Sequence, residues 1–77
     1  MNQVMLIGKL AMIGDNQFEI KINDTQTVPV SAEGNIMRSI QENIAIGSTI
    51  GVKGNIGVED GIKINAEKIT FLGKRGE

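Results

Sequence analysis

The stretch that most constrains the fold is GSTIGVKGNIGVEDGIKI, residues 47–64, in which apolar residues recur at even-numbered positions. The apolar set comprises Ile50, Val52, Ile56, Val58, Ile62 and Ile64. A period of two residues is typical of a β-strand with one buried face. Five of the eighteen residues in this stretch are glycine. Glycine lets a strand bend sharply or lets another backbone approach closely. We therefore predict two bent strands, residues 49–58 and 61–72, joined by a tight turn at VEDG.

The preceding part of the chain predicts three more strands. Residues 3–10 are apolar on both faces as far as Lys9, which is typical of a strand that is covered on both sides. Residues 18–23 alternate between apolar and polar, and residues 27–32 follow after an NDTQ turn. Pro29 cannot donate a hydrogen bond to a neighbouring strand, so we expect the third strand to lie at an edge or to bulge there.

Between the third and fourth predicted strands, the apolar period lengthens from two residues to four. Residues 34–47 carry isoleucine at positions 36, 40 and 44, with Met37 beside them. This spacing predicts one short amphipathic helix. We expect Gly34 or Asn35 to cap its start and Gly47 to mark its exit.

The last predicted strand contains a change of phase. Its apolar residues are even-numbered at first and odd-numbered at Ile69 and Phe71. A strand accommodates this change only with an inserted residue, so we predict a bulge near Glu67 and Lys68. The order β-β-β-α-β-β with bent late strands predicts an all-β protein with one short helix. Its expected architecture is a five-stranded oligonucleotide/oligosaccharide-binding barrel, the OB-fold.

The length and composition limit what such a barrel can be. Seventy-seven residues predict a single domain, residues 1–77, with a small core. There is no cysteine, so disulfides cannot add stability and oligomerisation is the remaining support. The sequence offers no membrane span and no signal peptide, so we expect a cytoplasmic protein. The net charge is -1, which means that attraction to nucleic acid would depend on local patterning.

The side chains present argue against catalysis. The chain has no His, Cys or Tyr, and no Ser or Thr lies at a recognisable spacing from a base. The carboxylates are scattered, so neither a metal site nor a cofactor is predicted. The two aromatic residues, Phe18 and Phe71, are in phase with isoleucines, so we expect both in the core rather than under stacked bases.

Three motifs are similar to those of bacterial single-stranded DNA-binding proteins and together cover nearly the whole chain. They are NQVMLIGKL, IQENIAIGSTIGVKGNI and INAEKITFLGKR. The resemblance implies an OB-fold and the binding of single-stranded DNA in replication, repair or recombination. It further implies a bacterial or mobile-element source, and assembly into a homodimer or homotetramer through the first strand.

The chain also departs from that family. The aromatic rings on which the family stacks bases have no counterpart, because the matching positions fall near Thr27 and Glu33. The family's acidic, partner-recruiting tail is not expected either. In this respect the chain is similar to primosomal replication protein N, a tail-less relative that binds single strands and partner proteins as a dimer. A replication protein is therefore among the partners that the resemblance implies.

Candidate nucleic-acid contacts lie at outward-facing strand positions. Four strands contribute one lysine each, and these would form a basic stripe if they align across the sheet: Lys9, Lys21, Lys53 and Lys63. Gly51, Asn55 and Gly57 share this outward face, and the two glycines would let a strand or a partner approach closely. Gly54 faces inward, where curvature of the barrel explains it.

The outer side of the first strand is a candidate oligomer interface. Met5 and Ile7 are too apolar for a face in solvent, and with Val4 they form the predicted interface. Lys74 and Arg75, near the end of the sequence, could also contact phosphate.

Two functions remain open at this point. The first is weak, sequence-tolerant binding of single-stranded DNA, or RNA, by the lysines, with backbone approach at the glycines. The second is a non-catalytic interaction module that has lost DNA binding and assembles with itself or with other proteins. The lysines favour the first function, whereas the acidic pI, Glu33 and the scarcity of aromatic residues favour the second.

Overall fold

The computed structural model describes residues 3–58 and 63–73. It contains five strands and one helix: β1 (Gln3–Ile13), β2 (Gln17–Asn23), β3 (Gln26–Ser31), α1 (Gly34–Asn43), β4 (Thr49–Gly57) and β5 (Lys63–Gly73). The predicted order of elements is confirmed. Most of the predicted VEDG turn lies outside the described residues, as do Ile62, Lys74 and Arg75. No helix of the described part of the chain is long and apolar enough to cross a membrane.

The strands close into a barrel in the order β1-β2-β3-β5-β4. Neighbouring strands are antiparallel, except that β3 and β5 are parallel. β1 is long enough to take part in two pairings: residues 3–9 pair with β4, and most of residues 9–13 pair with β2. The closed five-stranded barrel with a helix between β3 and β4 confirms the predicted OB architecture.

The core lies inside the barrel and under the helix. Its fully buried apolar residues are Leu10, Phe18, Ile20, Val30, Met37, Ile40, Ile50 and Val52. Met37 and Ile40 come from α1, so the helix covers the end of the barrel with the apolar face that the four-residue period predicts.

The predicted bulge in the last strand is confirmed. Lys53 faces Lys68 whereas Gly54 faces Ala66, so Glu67 is the inserted residue. A Cβ atom at Gly54 would overlap the carbonyl oxygen of Asn65. Glycine at position 54 is therefore required by the close approach of β4 and β5.

Gly47 has a φ of 96°, a left-handed conformation that favours glycine. The helix nevertheless ends at Asn43 with Ile44 as its C-cap, so Gly47 belongs to the turn into β4 and not to the end of α1. The prediction for Pro29 is confirmed. Pro29 lies opposite Glu19 of β2. The described pairing of β3 with β5 involves only Val30 and Ser31, so the other side of Pro29 is an edge within the described residues.

Two other predictions are wrong. The N-cap of α1 is Glu33, rather than Gly34 or Asn35, because the Glu33 carbonyl already accepts the hydrogen bond from the Met37 amide. Phe71 is 48% exposed and is not a core residue.

The exposure of Phe71 has a local cause. A second register shift, between Thr49 and Ile50, places Phe71 opposite Ile50 near the end of β5. There the ring lines a cleft with Ser39 and Asn43, which are polar residues of α1. The helix therefore leaves one side of the ring uncovered.

Candidate nucleic-acid interface

Two of the four predicted lysines are direct neighbours across β1 and β2. Lys9 lies opposite Lys21, and both side chains are exposed. They flank a small cleft with Asp24 and Thr49. This is the first basic group of the barrel.

A second basic group lies on β4 and β5. Lys53 faces Met5 on one side and Lys68 on the other. Sequence analysis did not select Lys68 as a contact residue, although the signal was present. The bulge at Glu67 shifts the phase of β5, and this shift puts Lys68 on the outer face beside Lys53.

Lys63 lies apart from both groups, opposite Gly57. Thr49, which faces Lys9, and Gly57 are each four residues from Lys53 along β4. At roughly 3.3 Å per residue, the three groups are spaced by roughly 13 Å along the strand. The lysines therefore form a discontinuous track, rather than one row across the sheet.

The lysines of this track form no ion pairs with described acidic residues. Within residues 3–58 and 63–73, no ion pair joins Lys9, Lys21, Lys53, Lys63 or Lys68 to a carboxylate. The pairs Lys9–Lys21 and Lys53–Lys68 instead set like charges opposite each other, which destabilises a sheet.

The two outward glycines are not required by the packing of the barrel. A Cβ atom at Gly51 would lie 3.6 Å from Leu72 Cδ1, and one at Gly57 would lie 3.4 Å from Asn65 Nδ2. Both are ordinary contact distances, in contrast to the overlap at Gly54. The barrel therefore has room for a Cβ atom at positions 51 and 57.

Asn55 takes part in a short hydrogen-bonded chain. Its Nδ2 donates to Oε2 of Glu67 at 2.8 Å, and Nδ2 of Asn65 donates to Oδ1 of Asn55 at 3.3 Å. The two asparagines face each other across β4 and β5, and the bulge brings Glu67 next to them. We call this set of three side chains the amide relay.

The amide relay lines a polar cleft of about 670 Å³. Lys63, Glu33 and residues 16–17 also contribute to its walls. The volume is within the range of small-molecule sites. Sequence analysis did not predict this cleft, because the parallel contact between β3 and β5 that assembles it is not encoded in any local pattern.

An exposed apolar patch lies between the basic groups. Its members are Met5, Ile7 and Leu72, with exposures of 68%, 58% and 51%. They line one groove with Gly51 and Thr70, and Lys53 and Lys68 line the same groove. Met5 and Ile7 thus lie on the outer face as predicted. Val4 is half-buried and opposite Gly54, on the inner face. Among the described strands, only β4 pairs with residues 3–8 of β1, so the other backbone edge of this segment is open.

The described residues contain no cluster of three or more His, Cys, Asp or Glu side chains that could hold a metal ion. The five-stranded barrel with its helix between β3 and β4 is the architecture of the OB-fold. No protein-family model matches the chain, and no curated protein matches its sequence.

Solved structures do resemble it. The mitochondrial single-stranded DNA binding protein Rim1 of S. cerevisiae matches in two crystal forms, each with a TM-score of 0.80. Identity is 8% over 94% of both chains in one form, and 10% over 97% of both chains in the other. The small single-stranded DNA-binding protein of Streptomyces coelicolor matches with a TM-score of 0.69, at 15% identity over 91% of both chains. At these identities the likeness establishes a shared OB-fold. These solved structures are of single-stranded DNA-binding proteins.

Proposed function

We propose that this protein binds single-stranded nucleic acid weakly and without strong sequence preference, in replication, repair or recombination. The observation that carries the proposal is that two pairs of lysines lie opposite each other across neighbouring strands, Lys9 with Lys21 and Lys53 with Lys68. A barrel this small has little stability to spare. Two repulsive lysine pairs that form no ion pair with a described carboxylate are explained if a polyanion occupies the surface between them.

The single strand of nucleic acid would follow β4, with phosphates near each basic group. Lys9 and Lys21 would hold one end, Lys53 and Lys68 the middle, and Lys63 the other end. Gly51 and Gly57 would let the backbone of the nucleic acid approach the sheet, since neither has a side chain in the way. Phosphate contacts carry little sequence information, which supports sequence-tolerant binding.

The absence of a stacking platform supports weak binding. Base stacking on aromatic rings contributes roughly 1–3 kcal/mol per base in single-strand binding proteins. The positions near Thr27 and Glu33 carry no ring. Phe71 is half exposed but lies beside α1 rather than on the lysine track. The lysines would therefore supply most of the affinity.

We further propose that the protein forms a homodimer or a higher oligomer through β1. The open edge of residues 3–8 can pair with the same segment of a second copy, and Met5 and Ile7 lie on that strand. Val4 would contribute through its backbone, because its side chain is on the inner face. Two copies would also double the number of lysines available to one strand of nucleic acid.

The apolar patch favours a second candidate function, an interaction module that never touches DNA. One titration separates the two. Fluorescence anisotropy of labelled oligo-dT is measured at several salt concentrations for the wild type, for Lys53→Gln/Lys68→Gln, and for Arg38→Gln. Arg38→Gln is the control, because it removes one positive charge on the exposed side of α1.

If five lysines contact phosphate, the log-log salt dependence has a slope of about -3.5, and the double variant flattens it by about 1.4. Arg38→Gln should leave the slope unchanged. If the wild type does not bind oligo-dT even at low salt, the proposal of nucleic-acid binding is wrong and the interaction module is the better interpretation.

A further inference from the structure

In the polar cleft, the Glu67 carboxylate sets the orientation of two side-chain amides, and the lysine track does not explain this arrangement. An ionised carboxylate offers only hydrogen-bond acceptors. Glu67 therefore orients the amino group of Asn55 toward itself, and the carbonyl oxygen of Asn55 in turn orients the amino group of Asn65. The direction of both amides follows from the carboxylate at the end of the relay.

This orientation leaves some hydrogen-bond acceptors of the cleft without a donor among the described residues. Within the described residues, Oε1 of Glu67 and Oδ1 of Asn65 receive no hydrogen bond. The side chain of Glu33, on the cleft wall, makes no capping hydrogen bond to α1. The cleft thus presents two carboxylates and an amide oxygen to whatever enters it.

The lining also includes donors, Asn16, Gln17 and Ser31. The end formed by Glu67 and Asn65 offers acceptors, which repel phosphate and suit a group that donates hydrogen bonds. The amino groups of cytosine, adenine and guanine are such donors, whereas uracil and thymine carry a carbonyl at the position of the cytosine amino group. Lys63 stands at the same cleft, where it can hold the phosphate of the nucleotide whose base is inside. Gly57 leaves space beside Asn65, because a Cβ atom at position 57 would lie 3.4 Å from Asn65 Nδ2.

We propose that the cleft is a base-reading subsite that prefers a nucleotide with an exocyclic amino group, with Glu67, Asn65 and Glu33 as acceptors. This inference rests on the proposed binding of single-stranded nucleic acid and adds a specific contact to it. Hydrogen bonding at the base edge takes the place of the stacking that the chain cannot offer. The preference applies to one nucleotide per barrel, so most of the bound strand is still held without regard to sequence.

The test compares short oligo-dC with oligo-dU of equal length. The two bases differ at two adjacent positions: cytosine has an amino group at C4 and an unprotonated N3, whereas uracil has a carbonyl at C4 and an N–H at N3. Anisotropy is measured at a mildly alkaline pH, where cytosine is unprotonated, for the wild type, Glu67→Gln and Glu42→Gln. Glu42 is exposed on α1 away from the cleft, so its variant controls for the loss of one negative charge. We expect the wild type to bind oligo-dC about tenfold more tightly than oligo-dU. Glu67→Gln should make the two affinities equal, whereas Glu42→Gln should retain the difference.

The possible outcomes distinguish the base-reading subsite from nucleic-acid binding by the lysine track. Equal affinity of the wild type for both strands overturns the base-reading subsite and leaves the lysine track intact. A preference that survives in Glu67→Gln also overturns it, because the relay would then not set the selectivity. Absence of binding to either strand overturns both. As a readout that does not depend on affinity, the side-chain amide signals of Asn55 and Asn65 in nuclear magnetic resonance spectra should shift with oligo-dC and stay in place with oligo-dU.

Discussion

Lys53 of β4 and Lys68 of β5 lie directly opposite each other on the outer face of the barrel. Like charges in this position destabilise an isolated sheet, typically by roughly 0.2–1 kcal/mol. We therefore expect Lys68→Gln to raise the free energy of unfolding by about that amount while it weakens binding to oligo-dT. Urea denaturation and anisotropy on the same protein preparation measure the two effects.

Lys63→Gln is the matched control for stability. Like Lys68→Gln, it replaces one exposed lysine with glutamine. Lys63 faces Gly57 rather than another lysine, so the substitution relieves no repulsion between like charges. Its free energy of unfolding should stay within about 0.5 kcal/mol of the wild type. An equal gain in both variants would mean that the lysines act through overall charge and not through the cross-strand pair.

Gly54 and Gly51 give opposite predictions for the same substitution. In Gly54→Ala the new methyl group would overlap the Asn65 carbonyl, so we expect a loss of about 3 kcal/mol or more in the free energy of unfolding. In Gly51→Ala the methyl group would meet Leu72 at ordinary contact distance, and the change should stay within about 0.5 kcal/mol. Urea denaturation of both variants checks this, and similar losses in the two would contradict the packing described for β4 and β5.

The proposed β1 interface predicts that Ile7→Lys dissociates the oligomer. A lysine at this exposed position would place a charge in the proposed interface, and lysine on an edge strand discourages pairing. Analytical ultracentrifugation should show monomer for this variant at concentrations where the wild type is a dimer or larger.

Met12→Lys serves as the control for this experiment. Met12 is also exposed on β1, at 38%, but it lies in the part of the strand that pairs with β2. The variant should keep the oligomeric state of the wild type. A wild-type protein that sediments as a monomer would disprove the interface.

Much of the fold could be predicted because its determinants are local. The two-residue period marks the strands, the four-residue period marks α1, and the phase change of β5 reveals the bulge at Glu67. A phase change is visible in sequence since it requires an inserted residue wherever it occurs.

The site was less predictable because it depends on relationships between strands. The pairing of Lys53 with Lys68, and the meeting of Ser31 with Asn65 that forms the cleft, arise from the register of distant segments. In the sequence, Glu33 was interpreted from its charge and from its match to an aromatic position of the resembled family, whereas the structure places it in the same cleft as the amide relay. No period in the sequence contains that information.

The two phenylalanines show where periodicity misleads, and they supply a final prediction. Both are in phase with core residues, but Phe18 is fully buried while Phe71 is 48% exposed. Phe18→Ala should therefore cost about 3–5 kcal/mol of the free energy of unfolding, and Phe71→Ala about half as much, because half of its surface is already in water. Thermal or urea unfolding measures the difference. The anisotropy titration of Phe71→Ala should keep the wild-type affinity for oligo-dT, since the ring lies beside Ser39 and Asn43 rather than on the lysine track. A marked loss of affinity in a folded Phe71→Ala protein would instead identify Phe71 as a stacking residue and move the path of the strand toward α1.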